Sequence, residues 1–395
     1  MCLLELSLAI VEKVSDSIDA RWCITLRGRF CMSFVLTDYH EPDFSLPLFT
    51  QSPDAMLKVA ESDGVAPAQF HSTSMFPEYF KLKGVWVLAE NSRMDCVVIL
   101  DVDGNLQVVE GRRIKKGDMV VVGRSERGEE GIFVHSTGFQ TPADANGDKF
   151  IFRSGRSRET AFSKDYDKLY ELLKYEKEHG TIVFVLGPAV AFDNDSRKAM
   201  QKLIENGYVD GILAGNALAT HDLEAGYFKT CLGQNLYTQM SMPNGHYNHL
   251  DILNMVRSCG SIEAFIKQEN IVDGIVYAMM KHKKPLVLCG SIRDDGPLPE
   301  VHADVYAAQD AMRKVICNAT TVITLATQLH SIATGNMTPS FKVVDGKIRP
   351  VYLYSVDISE FAVNKLKDRG SLSATGIVTN VQDFIVNVAK GLHLD

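Results

Sequence analysis

The chain has 395 residues, of which 46% are apolar and 23% are charged, and its formal net charge is −8. This length predicts two or three domains, and the composition is typical of a globular protein. The acidic balance argues against general binding to nucleic acids or to anionic membranes. The eight scattered cysteines contain no Cys-x-x-Cys pair, which favours a reducing, cytoplasmic location. The amino terminus lacks the basic region of a secretory signal, and no apolar run is long enough to predict a membrane span.

Residues 1–140 are predicted to form a smaller, β-rich domain. The pair Asp103-Gly104 separates two apolar runs, which is a strong β-hairpin signal. Several short strands at this spacing favour a small barrel or a sandwich. The turn-rich segment 141–163 predicts a linker to the next domain. Strands are predicted at residues 21–26, 83–89, 94–102, 106–109 and 119–122.

Residues 164–395 alternate between helical and strand patterns. The continuous apolar run 181–186 is typical of a strand that is buried on both faces. Alternating helices and strands predict an α/β fold with a parallel, doubly wound sheet. Apolar helices such as 271–280 leave room for an interface in a homo-oligomer. Further strands are predicted at 209–214, 285–289, 321–325 and 351–356, and helices at 166–179, 195–206, 248–258, 261–268, 271–282, 302–317, from Ser359 to Gly370 and from about 381.

Unusual polar and turn-forming residues follow five of the predicted strands. A parallel sheet gathers the carboxyl ends of its strands along one edge, where open α/β folds bind ligands. The convergence of these five segments therefore predicts a pocket at that edge. The segments are 187–189, 215–222, 290–296, 326–330 and 357–359.

Two of these segments suggest how a nucleotide would be held. Asp357 follows an apolar strand, where a carboxylate can accept hydrogen bonds from a ribose hydroxyl. The alternative is an Asx turn at the start of the next helix, given Ser359 two residues on. Asn216 and Ala217 could bring backbone amides and a side-chain amide close to a phosphate or a nicotinamide. The chain contains no Gly-x-Gly, so a dinucleotide would be held in a non-standard way.

Other candidate residues each have a structural alternative. In the loop 290–296, an aspartate could bind a ligand or could cap the following helix. His246 and His249 can share a helix face, but a metal would need a third ligand, so no metal site is predicted. The pair His221-Asp222 could be an ordinary capping pair. Cys96 is more often a small buried side chain than a nucleophile.

Taken together, the motifs of residues 164–385 resemble the archaeal-type ornithine cyclodeaminases, a family also known by the LOR/SDH conserved region. A related module forms the carboxy-terminal half of the cyanobacterial arginine dihydrolase/ornithine cyclodeaminase. The resemblance implies an amino-terminal β domain followed by a Rossmann-like domain that binds NAD. The motifs that carry it are Gly187-Pro-Ala-Val190, Val209-Asp-Gly-Ile-Leu-Ala-Gly-Asn-Ala-Leu-Ala-Thr-His-Asp222, Gly245-His-Tyr-Asn-His-Leu250, Gly290-Ser-Ile-Arg-Asp-Asp-Gly-Pro-Leu-Pro299, Ala326-Thr-Gln-Leu-His-Ser-Ile-Ala-Thr-Gly-Asn-Met337 and Val356-Asp-Ile-Ser359.

The resemblance implies conversion of L-ornithine to L-proline and ammonia. NAD would take hydride from the α-carbon, the δ-amine would attack the resulting imine, and hydride would return to the cyclic imine after ammonia leaves. Arg293 is a natural clamp for the α-carboxylate, and Asp294 is a candidate acid or base. Cys96 is a third catalytic candidate. The residues implied for the cofactor are Asn216, Ala217, Asp295, Thr327, Gln328, Leu329, His330 and Asp357.

The chain departs from the family in its amino-terminal domain. The family usually carries a Gly-His-Leu/Ile-x-Asp element, and the segment 26–33 has Arg29 and Met32 where His and Asp are expected. Two alternatives to an ornithine cyclodeaminase follow from this. One is an NAD-dependent dehydrogenase or lyase that acts on another basic amino acid. The other is an NAD-binding homologue whose catalysis is impaired.

Overall fold

A computed structural model describes residues 22–24, 30–32, 34–139, 163–291, 296–367 and 372–394. Strand β1 (Trp22–Ile24) pairs with β2 (Phe30–Met32) in antiparallel fashion, in agreement with the strand predicted near the amino terminus. Arg29 lies outside the described residues, as do Arg293, Asp294, Asp295 and nearly all of the predicted linker. None of the helices in the described ranges is long and apolar enough to cross a membrane.

The amino-terminal region forms two antiparallel sheets, of order β3-β8-β6-β7 and β5-β4-β9. Phe80 and Ile132 of one sheet share a core with Val98 and Val121 of the other, so the sheets pack face to face as a small β domain. The predicted hairpin is confirmed by the pairing of β6 with β7 around Gly104. The remaining bounds are α1 (Pro47–Thr50), β3 (Met56–Val59), β4 (Glu78–Leu82), β5 (Val85–Leu88), β6 (Val97–Leu100), β7 (Leu106–Val109), β8 (Met119–Val122) and β9 (Ile132–Val134).

The carboxy-terminal region contains a six-stranded parallel sheet with helices on both faces. Its strand order is β14-β11-β10-β15-β18-β19, which is 3-2-1-4-5-6 when the strands are counted along the domain. This is the Rossmann arrangement, as the resemblance implied. The strands of the sheet are β10 (Ile182–Leu186), β11 (Gly211–Gly215), β14 (Leu286–Cys289), β15 (Thr321–Leu325), β18 (Tyr352–Asp357) and β19 (Ser373–Val378).

Helices and two short hairpins complete the domain. The helices are α2 (Ser163–His179), α3 (Asn194–Glu205), α4 (Asn216–Phe228), α5 (Asn248–Cys259), α6 (Ile262–Gln268), α7 (Ile275–Lys281), α8 (Val305–Ile316), α9 (Gln328–Met337), α10 (Glu360–Lys367) and α11 (Val381–Gly391). The hairpins pair β12 (Thr230–Cys231) with β13 (Gln234–Asn235), and β16 (Phe341–Val344) with β17 (Lys347–Pro350).

Strand β10 lies at the centre of the sheet and is buried on both faces, as its apolar run predicted. Ile182 and Phe184 pack into the larger of two cores, whereas Val183 packs into the smaller core on the opposite face. The larger core also takes up the apolar residues of α7, including Ile275 and Met279. The predicted homo-oligomer interface at 271–280 stays a prediction.

Candidate functional site

The candidate site lies at the carboxyl edge of the parallel sheet, where β10 and β15 are neighbours and the order of the strands reverses. The turns that follow these two strands pack backbone against backbone. The N–H of Gly187 donates to the carbonyl of Leu325 at 2.8 Å. A Cβ added at Gly187 would lie only 2.0 Å from the carbonyl oxygen of Ala326. Only glycine fits this position, which explains the Gly-Pro pair after β10.

The turn after β15 is held in an unusual backbone conformation. Ala326 has a φ of +49°, in the left-handed region that residues with a Cβ rarely adopt. Its N–H donates to the carbonyl of Val356 at 3.1 Å, which ties this turn to the end of β18. Strained residues of this kind cluster at ligand-binding sites. A cleft of about 40 Å³ opens here, lined by Thr324, Ala326, Thr327, Gln328, Ser331, Ile332, Ser355, Val356, Asp357, Phe361 and Ala362.

Three of the predicted cofactor residues, Thr327, Gln328 and Asp357, therefore line one cleft. The Asx-turn alternative for Asp357 is also observed, because its Oδ1 accepts the N–H of Ser359 at 2.8 Å. That bond occupies one carboxylate oxygen and fixes the side chain at the end of β18. Because the turn uses only Oδ1, the Asx turn and a ligand contact through the other carboxylate oxygen do not exclude each other.

The segments after β11 and β15 also meet at this edge. A Cβ added at Gly215 would lie 3.0 Å from Cε1 of His330, so the imidazole rests against the glycine backbone. Asn216 and Ala217 follow Gly215 as the first residues of α4. Leu329 lies beside His330, and its side chain is 80% exposed. The convergence that the sequence predicted is thus found for the described residues of these segments.

Asn216 has a different role from the one its side chain suggested. Its Oδ1 accepts the buried N–H of Leu298 at 3.0 Å, and its Nδ2 donates to the carbonyl of Gly296 at 3.3 Å. The side-chain amide thus holds the loop that follows β14, rather than pointing at a ligand. Arg257 holds the same end of the loop, because its Nε donates to the carbonyl of Pro297 at 3.0 Å. The intervening residues, which include Arg293, Asp294 and Asp295, lie outside the described residues.

Two helices begin at this edge without a capping side chain. The N-cap positions of α4 and α9 are Gly215 and Thr327, and neither supplies a side-chain hydrogen bond to its helix. The first N–H groups of a helix have no intrahelical acceptor and favour an anion. Helix α3, by contrast, is capped by Asp193, which accepts the N–H groups of Asp195 and Ser196 at 3.0 and 2.9 Å. The backbone donors that can receive a phosphate are therefore those of α4 and α9.

Cys96 is not brought to the sheet edge. It lies in the β domain, with 2% of its surface exposed, and lines a second cavity between the two domains. Burial raises the pKa of its thiol, which disfavours the thiolate that a nucleophile requires. This environment favours the alternative role of a small buried side chain.

The sequence did not reveal a buried polar cluster on α4. Asp222 accepts Nε of Arg197 at 2.7 Å and the N–H groups of Ile275 and Val276 at 3.1 and 2.8 Å. It is a capping residue, as one reading of His221-Asp222 suggested, but it caps α7 rather than its own helix. Because these partners are distant in the sequence, no local pattern could identify them.

His221, Glu224 and Cys231 form the one group among the described residues with ligand atoms close enough for a metal ion, within 4.8 Å of one another. Glu224 is already satisfied by hydrogen bonds from His221, Thr230, Leu232 and Gly233, at 2.9 to 3.2 Å. Burial alone would raise the pKa of Glu224, but these bonds lower it overall. The cluster is therefore explained as a hydrogen-bonded core.

The strand order defines a Rossmann-fold α/β protein, and the cleft at the reversal point lies at the edge of the sheet where such folds usually bind ligands. Residues 168–388 match the family described as arginine dihydrolase ArgZ-like, C-terminal, Rossmann fold, and residues 77–157 match its C-terminal first region. The chain is 40% identical over 395 residues to a Methanocaldococcus jannaschii protein named ornithine cyclodeaminase, covering 98% of this chain and 89% of the relative. The chain therefore belongs to this ArgZ-like and archaeal ornithine cyclodeaminase family, and the resemblance seen in the sequence is confirmed.

Solved structures agree with this assignment. A LOR/SDH protein from Methanococcus maripaludis is 35% identical, with a TM-score of 0.78, and the match covers 86% of this chain and 98% of that one. A ternary complex of AgrE with ornithine and NAD⁺ is 31% identical, with a TM-score of 0.55. That match covers 88% of this chain and 47% of AgrE. AgrE from Nostoc is named a bifunctional arginine dihydrolase/ornithine cyclodeaminase.

Proposed function

We propose that this chain is an NAD-dependent ornithine cyclodeaminase, an ammonia-lyase that converts L-ornithine to L-proline and ammonia. The observation that supports the proposal is that the residues following the carboxyl ends of β11, β15 and β18 lie together at one edge of a Rossmann sheet. A relative with this fold, AgrE, has been solved with ornithine and NAD⁺. The proposal places this chain in the metabolism of ornithine and proline.

The described residues offer the hydrogen-bond donors and the acceptor that a dinucleotide would need. The first N–H groups of α4, at Asn216 and Ala217, would hold a phosphate, as would those of α9 that follow Thr327. Oδ2 of Asp357 would accept a hydrogen bond from a ribose hydroxyl. The imidazole of His330, packed on Gly215, would form a wall of the site. Gln328 and Leu329 complete the described part of the proposed set, and Asp295, which lies outside the described residues, stays a prediction.

The residues proposed for the amino acid lie in the loop after β14. Arg293 would bind the α-carboxylate through two parallel N–H donors, which fixes the α-carbon in one orientation. Asp294 would accept a proton from the α-amine. When bound, NAD would supply the hydride acceptor and the hydride donor that the α-carbon chemistry needs. Asn216 would keep this loop over the sheet edge through its bonds to Gly296 and Leu298.

The test is to incubate the purified protein with L-ornithine and NAD and to measure proline and ammonia. Equal amounts of the two products, strict dependence on NAD and no net accumulation of NADH are expected, because hydride is taken and returned in each turnover. An Asp357→Asn variant tests the cofactor site, since Asn retains the Oδ1 acceptor of the turn and removes the charge, and it should need a higher NAD concentration for the same rate. Failure to form proline at any NAD concentration would contradict the proposal.

Two other functions remain as outcomes of the same experiment. Turnover of L-lysine in place of L-ornithine would indicate an enzyme for another basic amino acid. Binding of NAD without turnover of any diamino acid would indicate a catalytically impaired homologue. The specific observation behind this second outcome is that Arg29 and Met32 stand where the family usually has His and Asp.

A further inference from the structure

Residues 230–250, which follow α4 and end in the first turn of α5, contain no Asp, Glu, Lys or Arg. At the chain average of 23% charged residues, a segment of this length would carry about five. Most of the segment is nevertheless at the surface, where charged side chains are normally found. We call residues 230–250 the uncharged lobe. It includes the motif Gly245-His-Tyr-Asn-His-Leu250, to which the proposed reaction assigns no role.

The uncharged lobe exposes six large apolar side chains. Their exposed fractions lie between 41% and 81%, and Tyr237 is the most exposed of them. Taking roughly 200 Å² for a fully exposed side chain of this size, the six present about 700 Å² of surface to solvent. They are Leu232, Tyr237, Met240, Met242, Tyr247 and Leu250.

A close contact between two glycines brings the two ends of the lobe together. A Cβ added at Gly233 would lie 2.5 Å from the carbonyl carbon of Gly245, so the two backbones touch. The N–H of Met242 donates to the carbonyl of Gly233 at 3.0 Å. Leu232, Met242 and Tyr247 are therefore carried by backbone segments that lie side by side.

The turn that carries Tyr237 and Met240 extends from the same hairpin. The N–H of Asn235 donates to the carbonyl of Met240 at 2.9 Å, and Oδ1 of Asn235 accepts the N–H groups of Tyr237 and Thr238 at 3.0 and 2.9 Å. The exposed apolar side chains thus share one small lobe. Their combined area exceeds the largest apolar patch of a typical monomer, which is about 300–600 Å².

The lack of charge identifies the kind of partner that fits this face. The chain as a whole carries a net charge of −8, so its copies repel each other over most of their surfaces. A face without charged side chains can meet an identical face without opposing like charges. A strongly basic or acidic partner would find no complementary charge on the lobe. In the sequence, charges resume at Lys229, which pairs with Asp273 at 3.2 Å, and at Asp251.

We propose that the uncharged lobe is a self-association face, at which two copies of this chain form a symmetric dimer. In a two-fold interface, both copies use the same patch. A stable interface of standard size buries about 800 Å² per partner, which the apolar side chains of the lobe and the polar atoms between them supply. Tyr and Met are enriched at the centres of such interfaces. The hydrogen bonds of the lobe hold its backbone in place before association, which lowers the entropic cost of binding.

Sedimentation velocity at pH 8, where histidine side chains are neutral, tests the proposal. At micromolar concentration the wild-type protein should sediment at twice the 43.8 kDa mass of the chain. Tyr237→Glu should raise the Kd of the dimer at least about 30-fold, because it places an unpaired carboxylate in each half of the interface. Met240→Glu should have the same effect. If the wild-type assembly is larger than a dimer, each variant should halve its mass.

Val102→Glu is the matched control. Val102 is fully exposed in the turn between β6 and β7 of the β domain, so the variant adds the same charge to an apolar surface position outside the lobe. Its Kd should stay at the wild-type value. Circular dichroism should show that all three variants are folded, because each replaces a side chain that is mostly exposed.

Hydrogen exchange locates the interface independently. Above the Kd of the dimer, the peptide that contains Tyr237 and Met240 should exchange more slowly than it does at high dilution. The peptide that contains Val102 should exchange at one rate under both conditions. Neither measurement needs ornithine or NAD, so the outcome does not depend on the proposed reaction.

Three results would overturn the proposal. They are a wild-type protein that is monomeric at every concentration, an assembly that persists unchanged in both Tyr237→Glu and Met240→Glu, and an equal loss of assembly in Val102→Glu. If Tyr237→Glu does not fold, Tyr237→Ser provides the same test, because it removes the aromatic contact without adding a charge. Its Kd should rise about tenfold, and an unchanged Kd would count against the proposed face.

Discussion

Replacing Asn216 with alanine should release the loop that follows β14. The side chain makes two hydrogen bonds to this loop, and the stronger is the 3.0 Å bond from the N–H of Leu298. Leu298 is 1% exposed, so water cannot readily replace the lost acceptor. A buried donor without a partner costs about 1–3 kcal/mol. At about 1.4 kcal/mol per factor of ten, the opening equilibrium of the loop should rise roughly 5- to 150-fold.

Hydrogen exchange at the amide of Leu298 measures this opening directly. Asn216→Asp is the matched control, because it keeps the Oδ1 acceptor and loses only the 3.3 Å bond to Gly296. In Asn216→Asp, the amide of Leu298 should exchange within a few fold of the wild-type rate. In Asn216→Ala, the same amide should exchange roughly 5- to 150-fold faster. The kcat/KM for ornithine should fall in Asn216→Ala, since the loop carries Arg293. Unchanged exchange of Leu298 in Asn216→Ala would refute the reasoning.

Three further changes test other parts of the site and its scaffold. Asp357→Asn keeps the Asx turn and removes the charge, so NAD affinity measured by calorimetry should fall about 10- to 150-fold with an unchanged Tm, and equal affinity would contradict the proposed role. Gly187→Ala places a Cβ 2.0 Å from the carbonyl oxygen of Ala326, so the free energy of unfolding measured with urea should fall by about 1–3 kcal/mol. Gly111→Ala is the control, because the space around Gly111 is open, and its free energy of unfolding should hardly change. Because the pKa of Glu224 is lowered in the folded protein, its ionised carboxylate stabilises the fold at pH values above the unfolded-state pKa of about 4.3. This stabilisation is lost as the pH falls through the folded-state pKa. Glu224→Gln should therefore lose about 2 kcal/mol at pH 7 and show a weaker acid dependence, and unfolding curves with the wild-type acid slope would contradict this assignment.

Sequence patterns predicted most of the sheet because its strands are short, apolar and bounded by turns. Five of the six strands were predicted, and β19 was missed. Its residues Ser373 to Thr375 are small or polar, and Gly376 packs so closely on α10 that an added Cβ would lie 2.1 Å from Cγ1 of Val363. Packing, rather than β-propensity, determines this strand. The β16–β17 hairpin was also missed.

Helix α4 was missed for a different reason. It is buried on nearly all sides, including polar residues such as Thr220 and Asp222, so it lacks the alternation of polar and apolar faces that identifies a surface helix. The contacts that hold the site and join the two domains could not be predicted from the sequence either. The bond between Asn216 and Leu298 and the contact of Arg93 and Arg313 with Glu110 join residues far apart in the sequence, and no local pattern encodes them.

The absence of a Gly-x-Gly-x-x-Gly motif has a structural cause. In the usual Rossmann site the pyrophosphate rests on the first helix after the first strand. Here the N–H of Gly187 is occupied by the carbonyl of Leu325, Pro188 has no N–H to offer, and the carboxylate of Asp193 caps α3. A phosphate at that position would find no free backbone N–H in the turn and would be repelled by the carboxylate of Asp193. The open backbone donors lie instead on α4 and α9, so the glycine that matters is Gly215, where His330 packs on the backbone.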